Sequence, residues 1–192
     1  MGYTSGWSSR KELADYILKY LFETGNPSIK MTPIAHCFVG NNLWVVEETV
    51  QQLPNDCVDT WRTIVLFAIE RHGKEWGYKD MTENEGPYHQ SCPLSYLEMA
   101  PLNEHHIGSY ARNWREGVKA FWVAKAAGRA LAKTLVDGQH FKANGREYVF
   151  RPWTSQYRVY KNCVLGERDG KLFRVLSAEI EPLPAVPEPA TV

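Results

Sequence analysis

Apolar positions recur every three to four residues in SSRKELADYILKYLFETG, at Leu13, Tyr16, Ile17, Tyr20 and Leu21. That spacing lines one side of a helix. Ser9, three residues before Glu12, has the form of a capping box at its start, and Gly25 supplies a stop. The period then changes. IKMTPIAHCFVGNNLWVVEETV sets β-branched and aromatic residues on either side of Gly40, Asn41 and Asn42, which predicts a hairpin. After a polar connection holding Pro54, Asn55 and Asp56, WRTIVLFAIER is apolar enough for a central strand covered on both faces.

Residues 75–93, EWGYKDMTENEGPYHQSCP, interrupt the regular pattern with acids, aromatics and Gly/Pro breaks, between that strand and a short helix starting at Pro93. A long helix is predicted over 110–136, with Trp114, Phe121, Ala124, Leu131 and Leu135 on one side, and Gly138 ends it. Beyond it the period is two, in GQHFKANGREYVFRP, QYRVYKNCVLG and KLFRVLSAEI, with Asn144-Gly145 and Asp169-Gly170 as hairpin turns. The expected fold class is α+β: a mixed, mainly antiparallel sheet packed on two helices, followed by a small C-terminal β-subdomain of SH3-like mini-barrel form. The expected divisions are a core domain over 1–136, the β-subdomain over 137–176 and a disordered Pro-rich tail over 177–192.

An apolar share of 44%, with seven Trp, ten Tyr and seven Phe, belongs to a chain with a packed core. The 22 basic and 22 acidic side chains cancel, so attraction to nucleic acid or membrane has to be local. Cys37, Cys57, Cys92 and Cys163 lie far apart without Cys-x-x-Cys spacing, which predicts reduced thiols in a cytoplasmic protein. Apolar runs such as TIVLFAI fall far short of the roughly 18 residues that cross a bilayer. The opening MGYTSG carries Gly6 where an N-myristoylation motif needs Ser or Thr, so no membrane attachment is expected. No Walker loop, Gly-x-Gly-x-x-Gly, His-Glu-x-x-His or Gly-x-Ser-x-Gly is present, which removes the hardware of nucleotide hydrolysis, Rossmann redox chemistry and the commonest hydrolases.

GYKDMTENEGP, the Cys92-Pro93 pair, NWRE at the start of the long helix and the opening MGYT together resemble an uncharacterised family found on bacteriophages and other mobile elements. Its members typically begin Met-Gly-Trp-Thr and carry a Tyr-Lys-Asp-Met, Glu, Gly-Pro, Cys-Pro signature; here Tyr3 stands at the Trp position. The resemblance spans most of residues 1–176 and implies a genetic setting rather than a chemistry: an accessory protein acting on a host macromolecule, either nucleic acid or a defence protein.

Several chemistries fit residues 75–93. Cys92 at a helix start is a candidate nucleophile, with His89 as its base and Asp80 or Glu85 orienting the imidazole, as in a cysteine-dependent hydrolase or transferase. His89 and Cys92 with His105 or His106 form a possible zinc set, but adjacent histidines seldom face one ion, and no metal or cofactor is expected. In a structural reading, Tyr78 and Met81 pack down while Asp80 and Glu85 accept backbone N–H groups; in a binding reading, Tyr78 and Lys79 meet a partner.

On the long helix Arg112, Arg115, Lys119, Lys125, Arg129 and Lys133 are opposed only by Glu116, and form either a solvated face or a docking surface for phosphates or an acidic protein. Trp153 and Arg158 belong to a later interleaving of aromatic and basic residues suited to stacking bases and pairing phosphates. The leading expectation is a non-catalytic protein that binds a host macromolecule; a Cys92 enzyme is the alternative.

Overall fold

The computed structural model describes residues 4–154 and 160–181. The chain divides into two compact units, Met1–Lys119 and Ala120–Val192, with the boundary inside the long helix rather than after residue 136.

The first unit is built on a five-stranded sheet of order β1-β5-β4-β3-β2, antiparallel at every pairing. Its strands are β1 (Thr4–Trp7), β2 (Ile29–Val39), β3 (Asn42–Gln52), β4 (Val58–His72) and β5 (Glu75–Thr82). The expected hairpin joins β2 to β3 through the Gly40-Asn41 turn. Residues 43–46 of β3 and 64–69 of β4 are buried without alternation, as central strands covered on both faces must be. One face is covered by α1 (Arg10–Tyr20), whose Leu13, Ala14 and Ile17 pack with Leu43, Val45, Val65, Phe67 and Ile69. Ser9 caps that helix by accepting from the Glu12 N–H, while the Glu12 carboxylate reaches back to Ser8. Against Trp44 of β3 lies Trp114 of α3 (Tyr110–Ala132), ring centroids 5.7 Å apart.

Residues 75–93 are less of a loop than their composition suggests. The first eight form β5, paired with β4 from Thr82↔Val65 to Glu75↔His72. Past Thr82 the chain leaves the sheet in a 3-10 turn at Glu83–Glu85, so β4 before Val65 has no β5 partner on that side. A six-residue helix, α2 (Leu94–Met99), follows, with Pro93 at its N-cap.

The second unit carries another antiparallel sheet, of order β10-β6-β7-β8-β9. Its strands are β6 (His140–Ala143), β7 (Arg146–Arg151), β8 (Cys163–Arg168), β9 (Lys171–Leu176) and β10 (Ile180–Glu181). Both predicted turns are present, with Asn144-Gly145 and Asp169-Gly170 at positive φ as a two-residue hairpin turn requires. The barrel expectation is corrected: β10 and β9 lie at opposite ends of the order, and among the described residues the sheet is open. Phe141, Tyr148, Val164, Val175 and Ile180 form its core, with Leu131 and Ala132 of α3 packed against them. Residues 177–181, expected to belong to a disordered tail, instead form a 3-10 turn and the edge strand β10, and Ile180 is 3% exposed.

Candidate functional site

The proposed catalytic set does not gain a usable nucleophile. Cys92 is fully buried, its Sγ lies 3.6 Å from the Pro93 carbonyl oxygen, and burial pushes its thiol up, away from thiolate. A helix of six residues offers little dipole to reverse that shift. Asp80 is exposed on β5, opposite Phe67 in register, and the His89 ring lies tilted against Tyr88 with centroids 4.3 Å apart while the His89 carbonyl accepts from Trp114 Nε1. None of the four cysteines forms a disulfide. The histidines of the zinc reading diverge, His105 turning to Asp59 and His106 to Glu83.

What organises residues 82–107 is a residue that sequence reasoning passed over. Glu83 is 0% exposed, and its two carboxylate oxygens collect three donors: the Ile64 backbone N–H at 3.1 Å, His106 Nε2 at 2.8 Å and Arg115 Nε at 2.6 Å. His106 Nδ1 accepts from the Asn103 N–H, which leaves Nε2 as the protonated nitrogen facing Glu83. Arg115 also donates to the carbonyls of Leu97 and Ala100, so charge and hydrogen bonding are satisfied together. Glu83 thereby supplies β4 with an acceptor where β5 has departed. Glu85 closes a capping box with Thr82, accepting from its N–H at 2.9 Å. The Thr-x-x-Glu spacing signals that box in the sequence; nothing local marks Glu83.

Two expected binding residues are corrected by burial. Arg115 is 5% exposed and paired inside the first unit, and Tyr78 lies in the core between Trp7 and Phe67; neither is placed to meet a partner. The remaining positions scatter. Lys79 and Arg112 are exposed, Lys119 pairs with Glu116 on the surface, and Lys125 pairs with Glu179 and lies over the Phe121 ring. Arg158 lies outside the described residues.

Arg129 and Lys133 behave differently. Arg129 lies in the last turn of α3 and Lys133 in the turn just past its end, and among the described residues neither has an ion-pair partner. Both line an open groove of about 490 Å³ with Phe150, Trp153, Asn162 and Cys163. Ser177, which also lines the groove, donates its backbone N–H to the Asn162 carbonyl at 2.8 Å. The sequence pointed to Arg129, Lys133 and Trp153 separately; the fold brings them to one groove within the second unit.

Among the described residues no helix is long and apolar enough to cross a membrane. Compared with protein families, with characterised proteins and with solved structures, the chain showed no match in any of the three.

Proposed function

We propose that the protein binds single-stranded nucleic acid through the groove of its second unit, as a non-catalytic accessory protein in the mobile-element setting that the sequence resemblance implies. One observation carries this reading: two neighbouring cations, neither paired with a carboxylate among the described residues, line the same groove as Trp153 and Phe150. Like charges that line one groove repel, a cost that an anionic ligand between them removes. A phosphate between Arg129 and Lys133 pairs both, and a base stacked on Trp153 adds sequence-tolerant affinity, about 1–3 kcal/mol per stacked base. An overall charge of zero keeps binding confined to the groove.

The test measures affinity for labelled single-stranded oligonucleotides by fluorescence anisotropy across roughly 50–200 mM salt. Each single-strand phosphate contact contributes about −0.7 to the slope of log affinity against log salt, so Arg129→Gln with Lys133→Gln should flatten it by about 1.4. Trp153→Ala should weaken binding at every salt concentration with the slope unchanged. A wild-type chain that binds no oligonucleotide at the low-salt end rejects the proposal and turns the groove toward an acidic protein partner. Binding indifferent to all three changes rejects the groove.

A further inference from the structure

A second cluster of donor atoms lies in the first unit, apart from the groove. Asp59 near the start of β4, with Glu104 and His105 in the turn before α3, places two carboxylate oxygens and one imidazole nitrogen within 4.8 Å of one another. His105 Nε2 is 2.7 Å from Asp59 Oδ2, between residues 46 apart in the chain. The imidazole is held in place from one side, stacked on the Trp61 indole with centroids 3.9 Å apart and planes within 16°. Its backbone is tied at both ends: the His105 N–H donates to Asn103 Oδ1, and Asn84 Nδ2 donates to the His105 carbonyl.

Two features point to a cation rather than to an ordinary surface pair. Among the described residues neither Asp59 nor Glu104 pairs with Lys or Arg, so two neighbouring carboxylates lie together with only the His105 hydrogen bond to Asp59 between them. The site is also accessible, with the His105 and Asp59 side chains 30% and 32% exposed and Glu104 at the surface. We propose that Asp59, Glu104 and His105 bind a divalent transition metal, with zinc as the best-matched ion. One nitrogen and two oxygens give zinc three protein ligands and leave a position for water, whereas calcium wants six to eight oxygens. Ligands about 2.0–2.2 Å from one ion lie ~3.3 Å from each other, a spacing that small rotamer adjustments reach from the observed arrangement. The bound ion clamps the 103–107 turn to β4. This set shares only His105 with the zinc reading of the sequence, and its donors are nitrogen and oxygen without sulfur.

The experiment uses the full chain and Co²⁺ as a spectroscopic stand-in for zinc, with Zn²⁺ competition to confirm a shared site. The expected result is one equivalent of Co²⁺ bound without a sulfur-to-cobalt charge-transfer band, displaced by Zn²⁺. Glu104→Gln and Asp59→Asn should each weaken binding at least about tenfold, while Cys57→Ser, at an exposed thiol, leaves it unchanged. Glu104→Gln alters an exposed side chain and leaves the turn's hydrogen bonds in place, so a folding defect does not obscure the outcome. No bound Co²⁺, a sulfur band, or an affinity indifferent to Glu104→Gln and Asp59→Asn would overturn the assignment.

Discussion

Glu83 shows how one buried side chain ties a connection to its sheet. Removing it leaves the Arg115 guanidinium buried without its counter-charge, and removing Arg115 leaves the buried carboxylate with only His106 and the Ile64 N–H. Breaking a buried pair from one side costs about 3–5 kcal/mol. Arg115→Gln should therefore lower stability by several kcal/mol in urea denaturation, although its position on a helix rich in cations suggests a tolerant surface site. A loss under about 1 kcal/mol, the scale of an exposed pair, would show that the network contributes little. Gly86 makes a second residue-scale case. Its φ of 66° lies in the left-handed region, whereas a residue preceding proline is normally biased toward extended backbone. A Cβ there meets nothing closer than Tyr110 at 3.7 Å, so the cost of Gly86→Ala is conformational, about 1–2 kcal/mol. Unchanged stability in Gly86→Ala would place the constraint elsewhere.

The long helix is the element whose character changes most between sequence and structure. Its cations were legible as one basic face; the structure divides them into a buried pair at Arg115, surface or half-buried pairs at Lys119 and Lys125, and Arg129 and Lys133, which have no ion-pair partner among the described residues. Helical period sets angular position but not which arc meets a neighbour, so the division was not legible from spacing. Gly128 marks where another segment packs closely against α3. A Cβ at that position would fall 2.7 Å from the Ile180 carbonyl oxygen and 2.9 Å from that of Ser177. Residues 177–181 thus act as part of the second unit, reinforced by Lys125 with Glu179 and by β10 on β6. Deleting residues 177–192 exposes the Ile180 site as well as an edge of β6, and burial of one such side chain is worth about 1.5–3 kcal/mol. The truncated chain should melt several degrees lower. An unchanged melting temperature would mean that β10 adds no stability.

For the whole molecule, stability should depend on pH through Glu47. It lies on β3 opposite Thr63, 6% exposed, and burial raises its carboxyl to about 7. Because the folded state holds this proton more tightly than the unfolded chain, the contribution is fully present below the unfolded pKa, about 4.5, and is lost as pH rises through about 7. A shift of about 2.5 units corresponds to on the order of 3 kcal/mol. Urea midpoints should fall between pH 5 and pH 8, and Glu47→Gln should reduce that fall; a gap between wild type and variant that is equal at both pH values would show that Glu47 ionises without penalty. The sequence alone determined the α+β class, the capped first helix, the central β4 and the glycine turns of three hairpins. Each depends on interactions within a few residues, on period or on turn backbone, and so is written locally. Tertiary structure alone decided that Glu83 rather than Asp80 or Glu85 enters the core, that Cys92 is sealed from solvent, and that the second sheet is open among the described residues. It also decided that Arg129, Lys133 and Trp153 share a groove and that Asp59 meets His105. Those outcomes depend on desolvation and on pairing between distant segments, and neither is encoded in the spacing of neighbouring residues.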